Sequence, residues 1–284
     1  MKITDILKSK DAVLSFEVFP PKTSDKFEGV WRAVEEIAAI GPDFMSVTYG
    51  AGGGTSAYTV KISEGIKALG VNSVAHLSCI SSTKADVKEK LVQLKEAGIE
   101  NILALRGDIP QDFSGNLEYR YAGELVAEIK AFGGFCIGGA CYPEGHPESD
   151  TLFSDIANLK RKVDAGCDYL TTQMFFDNDV FYSFLAKAYS AGITVPIIPG
   201  IMPIARASQI KRTFTLSGSP IPAKFRRIVD RFGDNPEAMR SAGVAYATEQ
   251  VIDLYANGIK AVHIYSMNKP EVARAIKSNL AGII

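Results

Sequence analysis

A chain of 284 residues with 46% hydrophobic and 22% charged residues has the make-up of an ordinary folded domain, which excludes a collagen, a disordered chain and a charged tail. Its 31 Lys and Arg against 32 Asp and Glu leave a net charge of −1, so no global basic field exists to hold nucleic acid. No apolar run approaches the ~18 residues of a membrane helix. The start, Met1-Lys2-Ile3-Thr4-Asp5, lacks a long apolar stretch and a small-residue cleavage site, so no signal peptide is expected. Cys79, Cys136, Cys141 and Cys167 form no C-x-x-C pair and read as structural thiols of a reducing cytoplasm.

In chain order, β-rich runs alternate with helical patterns. The strands are expected at Val13–Phe19, Phe44–Gly50, Val71–Cys79, Asn101–Asp108, Phe135–Tyr142, Tyr169–Phe176, Pro196–Ile204 and Ala261–Met267. Helical spacing marks Lys84–Ala97, Gly123–Phe132, Ser154–Ala165 and Val180–Ala191 between them. Gly98, Gly166, Gly192 and Gly258 stand where a helix stops before the next strand. This alternation predicts parallel strands covered by helices. Strand ends recur about every thirty residues, with one interval about twice as long, as in a (β/α)8 (TIM) barrel. The long interval holds Ala205–Leu216, Ala223–Phe232 and Pro236–Ala256, read as extra helices between strands seven and eight. No linker-like run interrupts residues 1–284, so one α/β domain is expected; an open doubly wound sheet is the alternative.

Strand side chains alternate between two faces. One parity is apolar: Leu14, Phe16 and Val18, then Met45 and Val47, then Leu103 and Leu105, then Val262 and Ile264. Turned toward the helices, it leaves Ser15 and Glu17, Ser46 and Thr48, His76 and Ser78, Arg106 and Asp108, Thr171 and Gln173, and His263 and Tyr265 pointing inward. Glu17, Thr48, His76, Arg106, Asp108, Gln173 and Tyr265 then gather at the C-terminal mouth, where barrel enzymes place their chemistry. The competing reading is a self-satisfied network such as Glu17–Arg106 or Asp108–Arg106.

Gly50-Ala51-Gly52-Gly53-Gly54-Thr55 opens a helix after strand two and suits an anion or an ordinary loop. Asn158, Arg161 and Lys162 share one helix face, with Asp155 a turn earlier. That face suits phosphate and ribose, or plain solvent. Glu144-Gly145-His146-Pro147 has no second His at ligand spacing, so no metal site is expected. No Gly-x-Ser-x-Gly elbow is present.

Eight stretches, in order, resemble the methylenetetrahydrofolate reductase family of one-carbon metabolism. They are Phe16-Glu17-Val18-Phe19-Pro20-Pro21-Lys22, Ser46-Val47-Thr48-Tyr49-Gly50, Leu105-Arg106-Gly107-Asp108, Tyr142-Pro143-Glu144-Gly145-His146-Pro147-Glu148, Leu159-Lys160-Arg161-Lys162-Val163-Asp164-Ala165-Gly166, Thr172-Gln173-Met174-Phe175-Phe176-Asp177, Ile198-Pro199-Gly200-Ile201-Met202-Pro203 and His263-Ile264-Tyr265. The resemblance is to the short bacterial form. It implies a barrel that binds FAD, takes hydride from NADH or NADPH and reduces 5,10-methylenetetrahydrofolate to 5-methyltetrahydrofolate. It further implies a homo-oligomer whose partners are small molecules, with no nucleic acid or membrane.

By that resemblance Glu17 is the general acid that protonates N10 and opens the five-membered ring. Such chemistry asks for a carboxyl that still holds its proton near neutrality, and apolar neighbours such as Phe16 and Phe19 would favour that form. Asp108, Gln173 and Gln209 fall on folate-contacting positions. Thr48, Tyr49, Ala51, His76, Arg106, Gly107, Asp108, Tyr121, Ala122, Tyr142, His146, Asp155, Asn158, Arg161 and Lys162 fall on FAD-contacting ones. The chain departs from the family pattern at Lys269, where Arg is common, and at Thr213, which takes an aromatic's place beside Phe214. A flavin-free folate methyltransferase barrel and a non-catalytic folate- or flavin-binding protein are the rival readings.

Overall fold

The computed structural model describes residues 1–49, 56–108, 117–210 and 221–284. Within them the chain runs α1 (Ile3–Ser9), β1 (Val13–Val18), α2 (Phe27–Ala38), β2 (Phe44–Val47), α3 (Ser56–Ala68), β3 (Asn72–Ser78), α4 (Lys84–Glu96), β4 (Asn101–Leu105), α5 (Ala122–Phe132) and β5 (Cys136–Cys141). It continues through α6 (Leu152–Asp164), β6 (Tyr169–Thr172), α7 (Asn178–Ser190), β7 (Ile197–Ile198), β8 (Gly200–Ile201), α8 (Ala223–Phe232), α9 (Pro236–Ala256), β9 (Ala261–Tyr265) and α10 (Pro270–Asn279).

The strands pair in parallel in the order β7-β6-β5-β4-β3-β2-β1-β9-β8. β7 and β8 are two halves of one expected strand, parted by Pro199, which has no N–H to give a ladder. One half pairs with β6 and the other with β9, so the broken strand shuts the ring. At the break the Pro199 carbonyl accepts from the His263 amide at 2.9 Å, and the Gly200 amide donates to Thr172 Oγ1 at 2.8 Å. The architecture is the expected (β/α)8 barrel, with α8 and α9 inserted before β9. The four stop glycines all take positive φ, from +66° at Gly98 to +130° at Gly166. Pro236 begins α9 where the sequence places it, because Asn235 Oδ1 accepts from the amides of Glu237 and Ala238, both at 3.1 Å.

The helix-facing rows of the strands form the main core. Leu14, Phe16, Val18, Met45, Val47, Val262 and Ile264 pack against Val34, Ile37, Ile62, Ile66 and Ile276. Ala75, Leu77, Ile102, Ala104 and Ile137 pack against Leu91, Leu94, Leu125 and Ile129. Each fully buried Leu, Ile or Phe side chain contributes about 1.5–3 kcal/mol. A third cluster fills the floor of the lumen: Val13, Phe44, Val74, Leu103, Cys136, Tyr169 and Ala261, closed from below by Ile3, Ile6 and Leu7 of α1. The sequence reading did not foresee that plug. Asn101 pins it, accepting from the Ile3 amide at 2.9 Å and donating to the carbonyls of Met1 and Ser73. The Tyr169 ring fits the lumen because Gly138 lies opposite; a Cβ there would stand 2.5 Å from the ring.

Strand four corrects the expected parity. His76 is in register with Leu103, and Ser78 with Leu105. The lumen row of β4 is therefore Asn101, Leu103 and Leu105, while Ile102 and Ala104 join the helix-facing core. Both rows of this strand are apolar, so alternation alone does not say which faces inward. Arg106 and Asp108 reach the mouth by another route. β4 ends at Leu105, and Gly107 turns the chain at φ +83°, in a place where a Cβ would lie 2.0 Å from Ser78 Oγ.

Candidate functional site

The lumen row of β1 ends in Glu17. Register places Ser46 beside it on one side and Tyr265 on the other, with Ser15 opposite His263. The polar side chains therefore converge. Glu17 Oε2 lies 3.4 Å from Ser46 Oγ, 3.5 Å from His76 Nε2 and 3.7 Å from His263 Nε2. His263 is held at both ring nitrogens, Nδ1 at 2.7 Å from Ser15 Oγ and Nε2 at 3.2 Å from Ser46 Oγ. The expected apolar surroundings of the carboxyl are corrected here: Phe16 packs outward in the helix-facing core, and the neighbours are hydroxyls and imidazoles.

Burial pushes the His76 imidazole down to about 4, opposed by the charge of Glu17 and helped by that of His263. Its Nε2 is buried without a hydrogen bond, since the 3.5 Å approach to Glu17 does not meet hydrogen-bond geometry. The Tyr265 hydroxyl donates to the Thr172 carbonyl at 2.5 Å, across the top of the lumen. Burial, then the charge of Glu17, raises that phenol well above its ordinary value. Gly200 leaves the space for it.

β1 is clamped from behind by the segment after β9. Ser266 Oγ donates to the Glu17 carbonyl at 2.5 Å, and Asn268 pairs with both backbone groups of Phe19, at 2.9 and 3.0 Å. Met267 and Asn268 hold φ of 54° and 51° to do so. Two successive non-glycine residues in that region carry backbone strain.

Around the mouth, the Arg106 guanidinium forms a two-pronged ion pair with Glu148 at 2.5 and 2.6 Å. The self-satisfied pairs expected from sequence, Glu17–Arg106 and Asp108–Arg106, are not the ion pair formed. Asp108 is exposed, and its charge bears on Arg106 and Tyr142. The Tyr142 ring meets the His146 ring edge-on at 4.6 Å. Gln173 Oε1 accepts from the Met174 amide at 2.9 Å, and the Gln173 backbone N–H donates to the Cys141 carbonyl at 2.7 Å. Gln209 Oε1 accepts from the Ala205 amide at 3.1 Å.

The basic helix face divides. Lys162 turns inward, its Nζ donating to the Ala140 carbonyl, and burial holds its pKa below the ordinary lysine value. Arg161 stays exposed and donates to Asn158 Oδ1 at 2.5 Å. Asp155 accepts from Ser149 at 3.0 Å. Because Lys162, near the end of α6, meets the end of β5, the earlier turns bearing Asp155 and Asn158 stand above the strand ends as a wall. α5 joins it, with Gly123 packed on the Lys162 backbone and Tyr121 68% exposed beside Ala122. Thr48 and Tyr49 are half-buried just past β2. Ala51 with the rest of Gly50–Thr55, Thr213 and Phe214 lie outside the described residues; of the helix expected at Ala205–Leu216, residues 205–208 are not helical, 209–210 are, and the remainder lies outside the described residues.

This donor set fits a flavin dinucleotide. It offers cations at Arg106 and Arg161, hydroxyl and amide groups beside them, and a buried His76 nitrogen without a hydrogen bond at the mouth. The sequence reading missed Ser15, Ser46, His263 and Glu148. The first three lie in the polar strand rows it described, and only register shows that they touch. All four cysteines are buried. Burial pushes the Cys141 thiol up to about 12 and Cys167 up to about 11. Among the described residues no helix is long and apolar enough to cross a membrane, and no three His, Cys, Asp or Glu gather as metal ligands.

The chain is similar to 5,10-methylenetetrahydrofolate reductase of Escherichia coli, 39% identical over 264 residues that cover 93% of this chain and 88% of that protein. The protein of that name from Pectobacterium carotovorum is 37% identical over the same shares. Methylenetetrahydrofolate reductase (NADH) 1 of Arabidopsis thaliana is 37% identical over 99% of this chain and 51% of its own length. Among solved structures, a Clostridium thermocellum protein described as binding two copies of 5-methyl-5,6,7,8-tetrahydrofolic acid matches over 100% of both chains at a TM-score of 0.71 and 16% identity, a likeness of fold. The model of the methylenetetrahydrofolate reductase family matches residues 2–281, and the chain belongs to that family.

Proposed function

We propose that this chain reduces 5,10-methylenetetrahydrofolate to 5-methyltetrahydrofolate, with FAD as cofactor and NADH or NADPH as donor, from one catalytic domain. The observation that carries the reading is the Glu17 carboxyl, at the mouth of a closed barrel and ringed by Ser46, His76 and His263. FAD, when bound, passes hydride from the nicotinamide to the folate. Thr48, Tyr49, Ala51, His76, Arg106, Gly107, Asp108, Tyr121, Ala122, Tyr142, His146, Asp155, Asn158, Arg161 and Lys162 are the residues that would hold it. Arg106 and Arg161 would supply positive charge for its phosphates, and the α5–α6 wall would hold its nucleotide end.

Glu17 gives its proton to N10 of the substrate. The electron pair of the bond between the methylene carbon and N10 stays on N10, and N5 lends its lone pair to form the iminium that accepts hydride. Asp108 and Gln173 orient the pterin, with Gln209 a further contact. Donor and folate use the slot at Gln173 in turn, so the two half-reactions alternate. Lys269, where the family commonly has Arg, stands at the start of α10 with a pKa lowered by burial and then by the charge of Arg206.

The test is anaerobic mixing of FAD-loaded protein, first with NADH and then with methylenetetrahydrofolate, following flavin absorbance. Glu17→Gln is expected to keep flavin reduction and to lose reoxidation by folate by about 10²-fold or more. A protein that stays colourless after refolding with FAD, or a variant that loses both half-reactions together, overturns the assignment.

A further inference from the structure

Ser46 Oγ stands between a carboxyl and an imidazole, 3.4 Å from Glu17 Oε2 and 3.2 Å from His263 Nε2. A hydroxyl has a single hydrogen, so it donates to one of them and accepts from the other. The far side of the imidazole is settled by its partner. Nδ1 lies 2.7 Å from Ser15 Oγ, whose own hydrogen goes to the Val262 carbonyl at 3.2 Å. Ser15 therefore accepts, Nδ1 keeps its hydrogen, and Nε2 is the nitrogen whose proton varies. Phe44 stacks on the imidazole at 5.9 Å and Tyr265 meets it edge-on at 5.5 Å, which fixes the ring.

Solvent reaches only one end of this chain of groups. The Glu17 side chain is 18% exposed and that of His263 3%. Among the described residues, the other titratable groups facing the pair are His76 from β3 and Tyr265 from β9. His76, at about 4, carries no proton to give near neutrality, and the Tyr265 phenol, raised well above its ordinary value, keeps its own.

We propose that Glu17 and His263 hold one proton between them and pass it through Ser46, so that His263 is a positioning residue that loads the acid. The proposal rests on Glu17 being that acid. With the proton on His263, Glu17 is a carboxylate. The Nε2 proton moves to Ser46 Oγ as the Ser46 hydrogen moves to Glu17 Oε2, leaving a neutral imidazole and a carboxylic acid. Substrate drives the shift, because displacing water from the mouth disfavours separated charges. The carboxyl then gives this proton to N10, and the next one enters from water at Glu17 once the mouth is open.

The experiment is the folate half-reaction of FAD-loaded protein in stopped flow across pH, for Ser46→Ala, Ser46→Thr, His263→Asn and Glu17→Gln, with thermal melts of each. Ser46→Ala, a loss of one oxygen in the lumen, is expected to slow this half-reaction by about tenfold or more and to change its pH profile, with nicotinamide-driven flavin reduction unmoved. Ser46→Thr, which keeps the hydroxyl, restores the profile. A Ser46→Ala protein with the wild-type profile overturns the relay, whether or not its rate has fallen. If Glu17→Gln still reduces folate, the underlying reading fails instead; if it does not while Ser46→Ala behaves as wild type, the relay alone fails.

Discussion

Arg106 and Glu148 meet at the rim of the barrel through two parallel hydrogen bonds, Nη1 to Oε2 at 2.5 Å and Nη2 to Oε1 at 2.6 Å. The pair joins the segment after β4 to the segment after β5, beside Tyr142 and His146. An anionic ligand that needs Arg106 must share it with this carboxylate.

Glu148→Gln is therefore expected to tighten FAD binding. Glu148 is 61% exposed, so the pair is solvent-screened and worth about 0.2–1 kcal/mol, a change of about fivefold at most. Fluorescence titration of FAD into apoprotein reads it. Weaker binding would mean that Glu148 instead holds Arg106 in place for the ligand. The hydrogen bonds from Arg106 hold the Glu148 carboxyl below its ordinary 4.5. Since the folded value is the depressed one, the pair's contribution is complete above about pH 4.5 and is lost as pH falls through that lower value. The gap between variant and wild type should close in that acid window.

His76 gives a pH dependence of the same sign, from a buried group and in a higher pH window. Burial takes its imidazole from 6.5 to about 4, so between those values the unfolded chain binds a proton that the folded one refuses. Stability then rises with pH across the window. The contribution is complete above pH 6.5 and falls by about 3 kcal/mol toward pH 4. His76→Asn should flatten the acid limb of melting temperature against pH. An unchanged slope would assign that limb to other groups.

Asn101→Ala should loosen the floor plug. It leaves the Ile3 amide and the Ser73 carbonyl without their partner, a cost of about 1–3 kcal/mol. Calorimetry should show melting lowered by several degrees, about 2–4 °C per kcal/mol. The half-reactions should keep their rates below the transition, because the floor is at the end of the lumen away from Glu17.

Two glycines separate packing from propensity. Gly138→Ala sets a methyl 2.5 Å from the Tyr169 ring and should destabilise by about 1–3 kcal/mol. Gly29→Ala, inside α2 with nothing within 4 Å of the new Cβ, should stabilise by about 0.5–1 kcal/mol. Denaturant midpoints of the two variants should move in opposite directions; matching shifts would contradict the packing given for Gly138.

The sequence by itself determined the repeat and most of the parity. Alternation of Glu17 with Phe16, of Ser46 with Met45 and of His263 with Ile264 is a property of any extended chain with one wet row and one dry row. The glycines after α4, α6, α7 and α9 and the Asn235-Pro236 start of α9 are local stereochemistry as well. It was equally able to point to Glu17 through the eight ordered stretches of family resemblance.

The tertiary structure decided what touches what. Parity ranks residues along one strand but does not slide strands against each other, so only register put Ser46 level with Glu17 and His263 level with Ser15. Where both rows are apolar, as at Leu103 and Ala104, the choice of inner row fell to the pairing with His76. The α1 plug, the broken strand at Pro199 and the Arg106–Glu148 pair likewise join residues far apart in sequence. Closing the ring made them neighbours, and no periodicity within a single strand carries that information.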